Sequence, residues 1–338
     1  MKNERSIVTV AAMLWIATLN VFAFERGEAE LHFIVADEDL KPVTNATVRG
    51  GAWWPERETG KDGVMAGRSF RALTDTNGCA TVHVIVYSDV KSTVEKDGYY
   101  TSRDTYDFYL SKEHSMKLDA GQWLPRPSVK TVTLKRILNP IPMYARRVNA
   151  PVPALDTPVG YDLEKGDWVS PHGKGVVSDL VVTASGRYVD NVNRDIQMVL
   201  HFPLPGAGII TNIVPIHNEM PIGSQLVSDH TAPAEGYRAS YEYSQRMRPK
   251  LSDRVNMTPR FGQIAYFRVR TELDDKGQVK KAWHGKMYGD LYSAFDFDKR
   301  ICLIFTYYLN PDGTRNVEFD LTRNLLTDLK SLEQVNRP

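Results

Sequence analysis

Three groups of residues in this chain have types and spacing that could do chemistry. The first is acidic: Asp290, Asp296 and Asp298, with His284 shortly before them. On a strand Asp296 and Asp298 would share one face, as would Glu318 and Asp320 further along. Clustered carboxylates suit calcium, a hard cation that takes oxygen ligands. Asp290, Asp296 and Asp298 are therefore the candidate metal ligands, and calcium is the one cofactor the residues suggest. The simpler reading of Asp296-Phe297-Asp298-Lys299-Arg300 is a solvent-facing strand end. The second group is His217-Asn218-Glu219 with Asp229-His230, in a stretch rich in proline and serine. Imidazoles and carboxylates on loops can ligate a metal or exchange protons, but without ligand spacing on a defined element they read first as surface polar loops.

The third group is aromatic. Trp53-Trp54, Tyr99-Tyr100, Tyr106, Tyr109 and Trp123 all fall in or beside the first third of the chain. A flat apolar ring with a polar edge stacks on sugars or on proline-rich peptides. Adjacent residues on a strand point to opposite faces, so one of Trp53 and Trp54 must face away from the core unless another element covers it. Trp53, Trp54 and Trp123 are the candidate ligand-binding residues. Signatures of established catalytic chemistry are missing: there is no H-E-x-x-H, G-x-S-x-G, G-x-x-x-x-G-K or C-x-x-C. Gly206-Ala207-Gly208 follows two prolines and reads as a loop.

The elements that must position these residues are strands. At 338 residues the chain is long for one domain, since about 150 residues per domain is typical. It is 42% hydrophobic and 25% charged, with a net charge of +1. That composition supports buried cores and argues against a dedicated nucleic-acid binder, which needs a concentrated basic surface. Lys2 and Arg5 precede an apolar run from Ile7 to Leu19, and Val21-Phe22-Ala23 has the residues of a cleavage site. Residues 1–23 therefore read as a secretory signal peptide, and no later stretch is long and apolar enough to span a bilayer as a helix. Export permits disulfides, but Cys79 and Cys302 are far apart, and Cys302 lies in an apolar run where a free buried thiol is the commoner situation.

Between Glu28 and Ile137 short strands alternate with turn signals, the pattern of a sandwich. Leu31–Ala36 is a strand, Asp75-Thr76-Asn77-Gly78 a tight turn, and Val82, Val84 and Val86 mark one buried face. Lys96-Asp97-Gly98 is another turn, and Thr131–Lys135 closes the unit. The progression Lys41-Pro42-Val43, Asn45-Ala46-Thr47-Val48, Thr74-Asp75-Thr76-Asn77-Gly78, Glu95–Tyr100 and Val132-Thr133-Leu134 resembles the transthyretin-like (prealbumin-like, carboxypeptidase regulatory-like) domains. The resemblance covers about the first third of the chain. It implies a seven-stranded Greek-key sandwich that serves as an accessory, adhesive or spacer module. The chain departs from that pattern in an insertion around Trp53–Arg68 and in the loop Leu110–Arg126.

Five prolines between Asn139 and Pro158 predict an extended linker, with the domain boundary near Val148. From residue 159 to 326 the pattern is again β. Ile196, Met198, Leu200 and Phe202 alternate with polar residues, and Ala265, Phe267, Val269 and Thr271 form the clearest half-buried strand. Asn310-Pro311-Asp312-Gly313 predicts a hairpin joining Ile301–Leu309 to Asn316–Leu321. Leu321, Leu325, Leu329 and Leu332 suggest a short amphipathic helix in the tail, residues 327–338. The expectation is an all-β chain: signal peptide 1–23, transthyretin-like sandwich 24–138, linker 139–158, a larger β-sandwich or jelly roll 159–326 and a helical tail.

Function on this reading is that of an exported, secreted or periplasmic, non-catalytic binding or scaffold protein. Its partner would be a carbohydrate or a protein surface, not nucleic acid, and the mature chain would have no membrane span. The alternative is a hydrolase of an extracellular polymer with its active site in the C-terminal β domain, where scattered carboxylates could serve.

Overall fold

The computed structural model describes residues 26–55, 65–108, 117–212, 223–256, 264–289 and 291–338, and the N-terminal segment read as a signal peptide lies outside them. Alternation sets the first unit. In β1 (Gly27–Asp37) Ala29, Leu31, Phe33 and Val35 are buried while their neighbours are less covered, as a half-buried strand requires. β1 pairs antiparallel with β4 (Cys79–Val86) and parallel with β9 (Ser128–Leu134), and the short β7 (Lys117–Asp119) and β8 (Gln122–Leu124) extend this sheet. The facing sheet holds β2 (Thr47–Pro55), β3 (Met65–Leu73), β5 (Asp89–Glu95) and β6 (Ser102–Asp107). Their inner faces share one core that includes Phe33, Val48, Val84, Val94 and Leu134. The Asp75–Gly78 turn works as its residue types require. The Asp75 carboxylate accepts the amides of Asn77 and Cys79 at 2.9 and 2.8 Å. Gly78 has φ +74°, and a Cβ there would lie 2.3 Å from the Val35 carbonyl oxygen.

The second unit is a larger sandwich. One sheet runs β12 (Asp167–Trp168), β11 (Val159–Asp162), β13 (Leu180–Asp190), β14 (Asn193–His201), β17 (Ser240–Met247), β18 (Val255–Asn256). The other runs β15 (Gly208–Asn212), β19 (Ile264–Leu273), β20 (Val279–Tyr288), β22 (Ile301–Asn310), β10 (Ile141–Pro151), β23 (Phe319–Asn324), with β21 (Tyr292–Phe295) also paired to β22. Leu180, Val182, Ile196, Met198 and Leu200 from the first sheet meet Phe267, Leu303, Phe305 and Tyr307 from the second. The expected all-β sandwich architecture is therefore present in both halves of the chain.

Three expectations about elements are corrected. The proline-rich stretch is not a free linker: residues 141–151 form β10, and Tyr144–Pro151 pair residue for residue with Leu309–Cys302. Pro142 falls in the irregularity of the β10–β23 pairing and Pro151 is the last residue of the strand, so neither missing N–H interrupts the ladder to β22. Val148, placed at the boundary, is buried in the second core. Asn310–Gly313 does not make a hairpin, because β10 occupies the place beside β22 and β23 pairs with β10 in parallel. The tail has no helix. Leu332 is 83% exposed, and the tail is tied down instead by Glu333, whose carboxylate meets Arg146 at 2.6 Å and whose carbonyl accepts the Arg147 amide at 2.8 Å.

β19 differs from its half-buried expectation for a related reason. Ala265, Phe267 and Val269 enter the main core, but Ile264 and Tyr266 are covered on the other face by Ala232, Val317 and Tyr237. Beyond Val269 the strand bulges at Arg270, which takes φ +51°. That conformation is uncommon for a side chain with a Cβ. Its guanidinium bonds Asp179 at 2.9 Å, Asp162 at 3.1 Å and Glu164, and stacks 4.3 Å above the Trp283 ring. Asp162 also accepts the amides of Val176 and Val177 at 2.9 and 3.0 Å. The bulge thus carries one cation to two nearly fully buried carboxylates.

The two sandwiches share structure. β16 (Gly223–Ser224), from the second half of the chain, pairs with β6 of the first unit. Glu318, 1% exposed, accepts the Tyr100 hydroxyl at 2.7 Å and the amides of Leu138 and Asn139 at 2.9 and 2.7 Å. Among the described residues no helix is long and apolar enough to cross a membrane.

Candidate functional site

The β13–β14 hairpin runs past the main core, and its end carries Tyr188 and Arg194, a cross-strand pair. Facing them is the turn between β21 and β22. Asp296 builds that turn: its carboxylate accepts the Arg300 amide at 2.8 Å and the Arg300 side chain at 2.8 Å. Burial opposes its ionisation, but the Arg300 amide and guanidinium outweigh it and hold Asp296 below the usual carboxylate range. Lys299 adopts φ +64° to close the turn. Phe297 is left at the tip, 100% exposed.

Between these elements lies a cleft of about 480 Å³, bordered by Tyr188, Asn191, Arg194, Phe295, Phe297 and, on β10, Asn149. Tyr188 meets Phe295 edge to face at 5.1 Å, and the Lys299 ammonium sits 4.8 Å from the centre of the Tyr188 ring. The Tyr188 hydroxyl donates to the Asn191 amide oxygen at 2.8 Å. The Arg194 Nε is buried without a hydrogen-bond partner among the described residues, a position in which a donor is costly to leave unmade. Cys302 also borders the cleft. Burial, then the Asp296 charge, pushes its thiol to about 11, so it stays protonated and unreactive at neutral pH. Aromatic faces, side-chain amides and a guanidinium bordering one cleft suit a ring-shaped ligand rich in hydroxyl groups.

The sequence candidates distribute unevenly over this geometry. Asp296 borders the cleft but faces Arg300, which also takes Asp298 at 3.1 Å. Asp290 lies outside the described residues. Among the described residues no group of three His, Cys, Asp or Glu side chains is arranged to hold a metal ion. His284 is buried on β20 near Arg268 and Arg315. Its pKa is pushed down to about 4 by burial and then by those cations, and its Nδ1 has no hydrogen-bond partner among the described residues. His217, Asn218 and Glu219 lie outside the described residues. Asp229 stays within the second sandwich, its amide donating to the Tyr266 hydroxyl at 2.9 Å, while His230 reaches the first unit at the Arg136 carbonyl, 2.8 Å away.

Trp123 is corrected from surface platform to core. It is 4% exposed, its indole N–H reaches the Val86 carbonyl at 3.2 Å, and its ring packs 5.3 Å from Phe108. Trp53 is half exposed, and its ring lies over Gly67, its cross-strand partner, where a Cβ would come within 2.7 Å of the indole. The missing Cβ lets the ring lie flat along the sheet. The Trp54 side chain lies outside the described set. Sequence reading missed the cleft because Tyr188, Asn191 and Arg194 are about 100 residues from Phe295 and Phe297 along the chain, and periodicity reports only local neighbours. The one available signal was Phe297 inside a charged turn.

One more cluster is buried at the joint. Lys286 is 0% exposed, with its ammonium nitrogen 3.1 Å from the Ser228 hydroxyl and 4.7 and 5.1 Å from the ring centres of Tyr288 and Tyr308. Burial drives its pKa well below the ordinary value, against the opposing charge of Glu318.

No protein-family model and no curated protein matches the sequence. By structure, part of the chain is similar to 3-chlorocatechol 1,2-dioxygenase from Rhodococcus opacus 1CP, at 12% identity and a TM-score of 0.25 over 33% of this chain and 60% of that one. A chlorocatechol 1,2-dioxygenase from Pseudomonas putida gives 12% identity and 0.23 over the same shares. Catechol 1,2-dioxygenase from Acinetobacter sp. ADP1, inhibited by bound mercury, gives 15% identity and 0.24 over 33% of this chain and 53% of that one. The chain thus spans 60% or less of the length of these proteins. Likeness at that level bears on neither the fold nor the chemistry of this chain.

Proposed function

We propose that this chain is an exported binding protein that recognises carbohydrate through the cleft at the end of the β13–β14 hairpin. The observation that carries the reading is the union of Tyr188, Phe295 and the fully exposed Phe297 with Asn149, Asn191 and Arg194 in one cleft. Sugar rings offer an apolar face for the aromatic rings and hydroxyls for amides and guanidinium. The Trp53 ring, flat on the first sandwich, supplies a second stacking surface on the same chain. Export rests on the basic residues and apolar run of the first 23 residues.

The test is a glycan array on the full chain, followed by calorimetry on the best ligand. Phe297→Ala should weaken binding about tenfold, the loss expected from one ring stack of about 1.5 kcal/mol. Retention of no glycan, or affinity unchanged in both Phe297→Ala and Tyr188→Ala, would overturn the reading. Release of new reducing ends from the bound glycan would replace it with the hydrolase reading.

A further inference from the structure

The outer face of the β13–β14–β17 sheet is lined in register by polar side chains. Arg187 pairs with Asp195 and Asp195 with Arg246, giving an Arg-Asp-Arg row across three strands. Two residues along, Ser185 pairs with Gln197 and Gln197 with Ser244, giving a Ser-Gln-Ser row. These two rows and Arg248 border a groove of about 360 Å³. This is the opposite face of the sheet from Ile196, Met198 and Tyr243, which enter the core.

The charges in the groove are not balanced. Asp195 bonds Arg248 at 2.7 Å, Arg246 stands 3.8 Å from its other oxygen, and that oxygen has no hydrogen-bond partner among the described residues. Arg187 has no carboxylate partner among the described residues. One carboxylate therefore faces three guanidiniums, and two of them keep donors for a ligand. Arg187 and Arg246 sit two strands apart, so their Cα atoms are separated by roughly 10 Å. Guanidinium groups take carboxylate or sulfate oxygens bidentately, while Ser185, Gln197 and Ser244 between them offer hydroxyl and amide partners to a polyol. Among the described residues none bordering the groove is aromatic, so nucleobases would find no stacking surface there.

We infer that this face binds the carboxylate or sulfate groups of an acidic polysaccharide, whose ring hydroxyls meet the Ser185-Gln197-Ser244 row. The inference rests on the reading of the chain as a carbohydrate binder and names the kind of carbohydrate. Both sites draw on the β13–β14 hairpin.

The test compares the full chain with Arg187→Gln/Arg246→Gln and with Phe297→Ala by calorimetry. The probes are polygalacturonate oligomers, dextran sulfate, unmodified dextran and single-stranded DNA. Arg187 and Arg246 are not part of either core, so the double variant should fold. The acidic glycans should bind the wild type more tightly than dextran, and the double variant should lose about tenfold per guanidinium for them. Polygalacturonate against dextran sulfate decides which anion is preferred. Equal affinity for dextran and the acidic glycans, full retention of acidic-glycan binding by the double variant, or single-stranded DNA binding as tightly as the acidic glycans would overturn the inference. Absence of any acidic preference in the wild type while Phe297-dependent dextran binding remains sinks this inference alone. Arginine-dependent acidic binding that ignores Phe297→Ala supports it and sinks the cleft, and no glycan binding at all sinks both.

Discussion

Lys286 is an amine in an apolar enclosure whose nearest polar partner is a serine hydroxyl at 3.1 Å. Such a group lowers stability relative to a side chain of similar shape that needs no partner. Lys286→Met should therefore raise the urea-unfolding free energy by about 1–4 kcal/mol at neutral pH. Because the folded pKa lies below the unfolded value of 10.5, the unfolded chain holds more protons between the two. The wild type accordingly gains stability as pH rises through that window, and the advantage of the Met variant should shrink toward alkaline pH. His284 gives the acid counterpart. Its pKa falls from 6.5 to about 4 on folding, so stability should fall as pH drops between those values, by about 3 kcal/mol in all. A His284→Gln variant that keeps the same slope in that window would show the imidazole is not the cause. Neither burial was legible in the sequence. Lys286 stands in Val279–Tyr288, a stretch with no clean alternation to read, and its enclosure comes from Ser228 and Tyr308, which no local pattern links to it.

At the scale of elements, alternation identified β1, β4, β9 and β14 because each buries one face and exposes the other. It misled wherever a second layer covers the outer face, as in β19, where Tyr266 is as buried as Phe267. Proline density misled in β10 because density ignores position: the residues from Met143 to Ala150 contain no proline and form the ladder. The bulge at Arg270 was invisible for a different reason, since its left-handed backbone is held by partners about 90 to 110 residues away. Burial opposes its charge, but Asp179 and Glu164 hold its pKa above the ordinary value. Arg270→Met should cost about 3–5 kcal/mol, because it leaves Asp162 and Asp179 without their cation. Arg270→Lys should recover only part of it, since an ammonium cannot bridge both carboxylates from one plane. Equal urea midpoints for the Lys variant and the wild type would refute the bidentate role.

For the whole molecule, Glu318 is the point where the two sandwiches are tied, through Tyr100, Leu138 and Asn139. Glu318→Ala should destabilise the protein by about 3 kcal/mol, while Tyr100→Phe, which removes one bond of the three, should cost about 1 kcal/mol. Hydrogen exchange should show protection lost on both sides of the joint in the first variant, and an effect confined to the second sandwich would argue that the tie is not shared. The length of the chain and its alternation foretold two β units, but the tie was hidden because Glu318 reads as one of many surface carboxylates. β16 carries the last consequence. The open side of β6 is closed by Gly223 and Ser224, and the Gln225 amide continues the contact to the Thr101 carbonyl at 2.8 Å. A ribosome must pass residue 224 before the first sandwich can acquire its final strand. Residues 26–138 are therefore not a portable cassette, and a gene cut at their end would yield a product with an unpaired backbone edge, prone to recruit the edges of other chains.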